Sequence, residues 1–553
     1  MRLTFKELKD QIAKVVPRDV PYTVELEAGN IAIVTPVPAK FGGGDGLIGK
    51  IAKRVKRKIV LRPDESIMKS EEDAKKLIHE IVPEAAEITN LYFDSCYREI
   101  IIQCQNPGEA VGRRGANLNA IRDQTGWLVK VERTSPIISK TVHDIRGYRQ
   151  AHAPERRKLL KDFGLNIHRP QRPGSAWARV TALGSYREVG RACHFVTTNE
   201  SRIMIDVGVN IASDTDPMPY FTAPEALPLE KLDAVVLTHS HLDHAGMLPV
   251  LFKYGYRGPV YCTPPTRDLM LLLQTDYLKV GGSEGKRAPY DMEDIRTCMK
   301  HVVDVDWGET TDIAPDVKLT FSNAGHILGS SAVHLHIGDG KHNIVFSGDQ
   351  KYEKSWLFDA ANTRFPRVET LVIESTYGAS GDYQPSRQEA NQELQDIVSR
   401  TISRGGKLIC PVFAVGRSQE VMIAIDELFR SGQVKPVPVW LDGMIQEATA
   451  IHASHPDYLT SSLRKSLLKD DGENPFTSEW FRPVKGRELR ESIIMDNSPC
   501  IVLATSGMLN GGPVMEYFRH WAHEDRNSLG FVVYQAEGTQ GRRLQNGFRE
   551  VSM

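Results

Sequence analysis

The segment His239-Ser240-His241-Leu242-Asp243-His244 packs three imidazoles and a carboxylate into one short stretch. It follows the apolar run LDAVVLT and precedes AGMLPVLFKYG, whose apolar residues recur at helical spacing. The pattern predicts a buried strand, a ligand-rich loop and a helix. Two histidines one residue apart on extended backbone can bind one metal ion from the same side. Asp243 and His244 then turn toward a second ion as the helix begins. Nitrogen and oxygen donors without thiolates suit zinc, with other divalent ions left open. Two ions roughly 3.5–4 Å apart lower the pKa of a shared water and hold both the attacking and the departing oxygen of a displacement. Such a centre hydrolyses with water, so no serine or cysteine nucleophile is needed.

Further candidates lie on either side: Asp206 in MIDVG, His326 in AGHILGSS, Asp349 in FSGDQ and Glu374 in LVIESTYG. Singly each has an ordinary explanation, since Asp in a turn often caps backbone amides. Their order and spacing around the histidine loop resemble the metallo-β-lactamase superfamily. The resemblance implies that His239, His241 and His326 hold a first zinc and that Asp243 and His244 serve a second. It also implies that Asp349 bridges the two and that Asp206 braces the loop by hydrogen bonds. Asp243, Glu374 and Asp206 are the expected catalytic residues.

The superfamily contains lactamases, thioesterases and nucleases, so fold does not choose the substrate. Glu374 and the segments PVFAVGRSQE (411–420), LDGM (441–444), ATSGMLNGG (504–512) and YQAEGTQGRR (534–543) are similar to the β-CASP branch, whose members are nucleases. By this resemblance Glu374 orients the group that protonates the leaving oxygen. Arg417 and Ser418, at a helix start, are expected to hold an RNA phosphate. Ser506 and Gly507, with Gly511 and Gly512, are expected to turn backbone amides toward the RNA.

The elements that position these residues fall into pieces. Residues 1–69 and 70–145 each read helix, two strands, helix, strand, which suggests an internal duplication. Each copy has a G-x-x-G before its second helix, Gly46-Leu47-Ile48-Gly49 and Gly112-Arg113-Arg114-Gly115. Paired glycines let backbone approach a phosphate, and a helix N-terminus favours an anion there. The two copies together resemble tandem KH domains, which clamp single-stranded nucleic acid with that loop. In the second copy Arg113 and Arg114 suit phosphate contact; in the first, apolar residues stand in their place. Residues 146–178, with Pro154, Pro170 and Pro173 and many basic residues, read as a linker. The segment 179–390 then reads as a metallo-β-lactamase αββα sandwich, and 391–540 as an inserted βαβ-type β-CASP domain. Residues 541–553 read as the start of a return into the sandwich. The expected fold class is thus α/β, preceded by two small α+β KH-like domains.

This domain order resembles archaeal cleavage and polyadenylation specificity factor-type ribonucleases over essentially the whole chain. The resemblance implies zinc-dependent endonucleolytic cleavage of single-stranded RNA in 3′-end processing and transcription termination, alongside the transcription machinery. Two readings stand beside it: a non-catalytic RNA-binding scaffold, and a DNA nuclease of the same branch. The family pattern also has a histidine that pairs with the Glu374 position and a last histidine on the second zinc. After Asp349 the chain offers His452, His455, His520 and His523, all within the inserted region. The expectation is a shortened chain with a weaker second zinc, without the C-terminal segment through which such proteins form homodimers.

Composition sets the outer limits. The chain has 553 residues, 41% hydrophobic and 25% charged, which suits several soluble globular domains. No apolar run reaches membrane-spanning length, and the N-terminus lacks a signal-peptide pattern, so no membrane partner and a cytoplasmic location are expected. Cys96, Cys104, Cys193, Cys262, Cys298, Cys410 and Cys500 form no C-x-x-C pair and predict no disulfide framework. The net charge of −1 hides local contrast, for residues 50–62 carry seven basic residues and no acid.

Overall fold

The computed structural model describes residues 3–42, 46–171, 177–211, 213, 215–283, 288–468 and 473–549. Residues 172–176 of the expected linker and 550–553 of the expected closing segment lie outside the described residues.

Two three-stranded sheets come first. Thr23–Glu27 and Asn30–Thr35 form an antiparallel hairpin, and Ile59–Pro63 joins the second strand in parallel. Ile88–Asp94, Glu99–Cys104 and Leu128–Arg133 repeat that arrangement. The alternation of Ile100 and Ile102 puts both on one face, where they pack with Ala74, Ile78, Phe93 and Trp127. In the first unit Leu8 and Ile12, one helical turn apart, close over Ile31, Ile33 and Phe41. Each such fully buried side chain contributes about 1.5–3 kcal/mol.

The basic stretch after the second unit, expected as a linker, is mostly helical where it is described. It forms the helices Lys140–Ala151 and Ala153–Ile167. Pro154 does not break the second because it stands in its first turn, where no amide donor is needed. Two of its arginines are interior: Arg149 is 8% and Arg156 1% exposed. Arg149 is tolerated there because its Nη1 donates to Asp304 Oδ2 at 2.6 Å.

The sandwich follows. One sheet has the order Val302–Asp304, Val260–Cys262, Ala234–Val236, Arg202–Ile205, Cys193–Thr198, Ala178–Gly184. The other runs Thr310–Ala314, Val317–Asn323, Ser331–Ile337, His342–Phe346, Thr370–Val372. Val196, Ile203, Ile205 and Val236 from the first meet Leu319, Phe321, Val333 and Phe346 from the second. The first sheet's outer face is covered by the helices Leu248–Lys253, Pro264–Ser283 and Met292–His301.

A third, wholly parallel sheet carries the inserted region, in the order Phe481–Pro483, Val439–Asp442, Ile501–Ala504, Leu408–Pro411, Ser528–Leu529. Parallel neighbours need helical crossovers, which cover both faces and explain the continuous apolar strands. The segments 411–420 and 504–512 therefore leave the carboxyl ends of adjacent strands, where open α/β sheets bind ligands. All seven cysteines are buried as free thiols. Among the described residues no helix is long and apolar enough to cross a membrane.

Candidate metal centre

Strand pairing builds the centre. Val236 lies opposite Ile205 in a parallel pair, so the residues just beyond them, Thr238 and Asp206, meet at the same sheet end. Asp206 accepts from the Thr238 amide at 2.7 Å, from the Thr238 hydroxyl at 2.8 Å and from His244 Nδ1 at 2.8 Å. Because the Thr238 hydroxyl donates to Asp206, it accepts from His239 Nδ1 at 3.0 Å. Both imidazoles thus spend Nδ1–H on the protein and turn Nε2 toward the site. This is the outer hydrogen bonding that orients metal-ligating histidines.

The histidine loop is held from below by backbone. Ala192 donates to the Asp243 carbonyl at 2.8 Å, Val207 to His244 at 2.6 Å and Val209 to Leu242 at 2.9 Å. That approach requires Gly208, where a Cβ would stand 1.6 Å from the Asp243 carbonyl oxygen. From the second sheet, Asp349 follows the strand His342–Phe346. Gly348 brings it close, since a Cβ there would stand 2.6 Å from Thr238 Cβ. His326 comes from the turn before Ser331–Ile337, its amide donating to Ser330 Oγ at 3.1 Å.

These pieces form two overlapping donor groups, His239, His241, His326 and Asp349, and His239, Asp243 and His244, each with ligand atoms within 4.8 Å of one another. His326 Nε2 lies 3.2 Å from His241 Nδ1 and 3.5 Å from Asp349. His244 Nε2 lies 3.1 Å from Asp349 and 3.9 Å from Asp243. Burial drives His239, His241 and His326 toward the neutral form, with neighbouring His244 adding to the effect, and His326 falls to about 3. Neutral imidazoles present lone pairs, the form a metal needs. For His244 burial acts the same way, but Asp349 and Asp206 outweigh it and hold its pKa well above the usual value. Burial would raise Asp349, yet His244 keeps its carboxyl well below the ordinary range.

The donor set fits divalent ions on a separate observation. His239 Nε2 is buried without a hydrogen-bond partner. An unmade bond to a buried polar atom costs about 1–3 kcal/mol, and an ion at that nitrogen removes the cost. All six expected ligands are therefore brought together, and Asp206 stands where a bracing carboxylate must.

The remaining expected residues divide. The Glu374 amide donates to Ser347 Oγ at 3.1 Å, two residues from Asp349, while its carboxylate caps the Thr376 amide at 2.9 Å. Arg417 is exposed at the start of the helix Arg417–Arg430, and its charge acts on His326 and Lys351. Ser418 is corrected: it is 0% exposed and its hydroxyl donates to the Ala414 carbonyl at 2.8 Å, so it offers nothing to a ligand. Ser506 Oγ is engaged inside its own loop, donating to the Gly511 carbonyl and accepting from the Asn510 amide, each at 3.2 Å. A Cβ on Gly507 would lie 3.0 Å from the Phe413 amide nitrogen, and the Phe413 ring lies 6.3 Å from that of His241. The loop thus reaches the centre through Phe413. Sequence reasoning missed Phe413, Ser347 and Thr238; the threonine beside a double-histidine loop was the available signal.

In the second N-terminal unit Arg113 and Arg114 are exposed between Gly112 and Gly115, ahead of the helix Ala116–Thr125. In the first unit Leu47 and Ile48 pack against that unit's own core. His452 is buried on the Ala448 carbonyl and His455 is paired with Asp268 at 2.7 Å. Neither they nor His520 and His523 join a donor group among the described residues.

Comparison with known proteins agrees with this architecture. Residues 186–394 match the metallo-beta-lactamase superfamily, 418–544 the Beta-Casp domain, and 2–68 the KH domain of transcription termination factor FttA. The chain is 52% identical to transcription termination factor FttA of Methanosarcina mazei, covering 99% of this chain and 86% of that protein. It is 47% identical to the same factor of Methanothermobacter thermautotrophicus and 43% to that of Lokiarchaeum sp., with the same coverage in each case. With one ancestry over nearly all of its length, the chain belongs to the transcription termination factor FttA family, the archaeal relatives of the cleavage and polyadenylation specificity factor that join KH, metallo-β-lactamase and β-CASP domains.

Proposed function

We propose that the chain is a zinc-dependent endoribonuclease that hydrolyses single-stranded RNA and, by cutting the transcript, acts in 3′-end processing and transcription termination. The observation that carries this reading is the pair of donor groups sharing His239. His239, His241, His326 and Asp349 would hold one ion; Asp243, His244 and Asp349 would hold the other. Bound there, two zinc ions supply a water of lowered pKa and neutralise charge on the departing oxygen.

The chain's own residues do the rest. Asp206 and Thr238 fix the ring orientation of His239 and His244 through Nδ1, so each Nε2 faces the reacting region. Arg417, exposed beside His326, binds a backbone phosphate next to the scissile one. Arg113 and Arg114 hold the strand at a distance from the cut, as KH loops do. Glu374 borders the centre through Ser347 and positions the proton donor for the leaving oxygen.

The test is incubation of the purified chain with zinc and an internally labelled single-stranded RNA, with a DNA of the same sequence as competitor. RNA cleavage that a chelator abolishes and DNA does not displace is expected. Binding without cleavage would instead favour a scaffold, and equal cleavage of DNA a broader nuclease.

A further inference from the structure

The basic run at residues 50–62 has no role in the reading above. The structure distributes it unevenly. Arg62 is interior, its guanidinium bonded to Glu27 at 2.8 Å and to Glu99 at 2.7 Å. The others are not. Lys50, Lys53 and Arg54 are exposed on the helix Leu47–Val55 at the spacing that puts residues on one helical face, and Lys56 is exposed just past its end. Lys50, Lys53 and Lys56 pair with no acid among the described residues, and Arg54 bonds only to neutral Gln11 at 2.9 Å.

The stripe ends in a cleft of about 320 Å³ between the first KH unit and the sandwich, lined by Lys56, Arg57, Lys58, Thr310, Thr311 and Lys318 among others. The two walls are fixed to each other. A Cβ on Gly29 would lie 2.4 Å from the Asp312 carbonyl oxygen, Arg57 pairs with Asp312 at 3.0 Å, and Lys58 pairs with Glu309. Those two acids neutralise Arg57 and Lys58 but leave the stripe itself uncompensated. Meanwhile the loop end of the same helix is apolar, with Leu47 and Ile48 turned into the core. The exposed basic residues thus run from the first turn of the helix, at Lys50, to just past its end, at Lys56, while the two residues between the glycines face the core.

We infer that the first KH unit binds the phosphodiester backbone of single-stranded RNA along Lys50, Lys53, Arg54 and Lys56 and into this cleft, not through its G-x-x-G loop. The inference rests on RNA being the ligand of the chain. Contacts of this kind are electrostatic and sequence-independent, and each phosphate neutralised on a single strand contributes about 0.7 to the slope of log affinity against log salt.

The experiment measures binding apart from cleavage. Anisotropy of a labelled 30-nucleotide single-stranded RNA of mixed sequence is followed between low and moderate salt, without added metal. The variant Lys53→Gln/Arg54→Gln/Lys56→Gln is compared with Lys75→Gln/Lys158→Gln/Lys161→Gln, which removes equal charge from other exposed positions. The first set should flatten the salt slope by about 2 and weaken binding at least tenfold at moderate salt. The control and the charge-retaining Lys53→Arg/Arg54→Lys/Lys56→Arg should leave both unchanged. An unchanged slope in the first set, or equal losses in the control, overturns the inference; the stripe would then face an acidic protein instead. A Leu47→Ser/Ile48→Ser variant that alone abolished binding while keeping its fold would also overturn it. Should the wild-type chain bind with the expected slope yet cleave nothing, the catalytic reading fails and this one stands.

Discussion

At the residue scale the account turns on Asp206 and Thr238, neither of which needs to touch a metal. Their bonds decide which nitrogen of His239 and His244 is available. Asp206→Ala should weaken zinc binding roughly 10–100-fold, as read by competition with a chromogenic chelator, with little change in far-ultraviolet circular dichroism. Ser418→Ala should lower stability by about 1 kcal/mol and leave RNA affinity alone, whereas Arg417→Ala should weaken RNA binding without moving stability. The clustering of these donors was legible in the sequence because four of them sit in one loop and the rest follow at family spacing. Ser418 was not legible. A serine at a helix start reads the same whether its hydroxyl faces solvent or, as here, bonds to a carbonyl one turn back.

At the element scale the helices Lys140–Ala151 and Ala153–Ile167 join the KH units to both later domains. Glu447, from the inserted domain, accepts from Ser139 Oγ at 2.7 Å and from the Thr141 amide at 2.8 Å, capping the first of them. Asp304, from the sandwich, accepts from Arg149 at 2.6 Å and from Arg267 at 2.8 Å. Asp304→Ala strands buried charge and should cost roughly 3–5 kcal/mol in chemical denaturation; adding Arg149→Met should recover part of that. Sequence could not show this joint, because Arg149 is buried against a partner that arrives from an element far along the chain. That partner is Asp304, while Glu447 caps the helix and Glu65 pairs with Arg157 nearer the surface. The repeated helix-strand-strand-helix-strand order, by contrast, was legible, since it depends on local periodicity alone.

At the scale of the whole molecule, acid sensitivity follows from histidines outside the metal centre. His301 and His452 are buried, which lowers the pKa of each from 6.5 to about 4. Between those values the unfolded chain takes up protons that the folded one does not, so protonation favours unfolding. Their contribution is complete above about pH 6.5 and is lost as pH falls toward 4, by up to about 3 kcal/mol each. Urea denaturation at pH 7.5, 6 and 5 should show the decline, and His452→Asn should make it shallower. The large division into KH units, sandwich and insert could be read from motif order; the way the insert's segment 411–420 reaches the histidine loop through Phe413, backed by Gly507, depended on strand order in a parallel sheet, which sequence does not display. Taken together, the domains set the proposed RNA-binding residues beside a centre of imidazoles and carboxylates. The most direct test of that arrangement is cleavage of an internally labelled single-stranded RNA by the zinc-loaded chain beside an Asp243→Ala/His244→Ala variant. Internal cuts by the unaltered chain, lost in a variant that still binds the RNA, are the predicted result; cleavage that survives the double substitution would contradict the account.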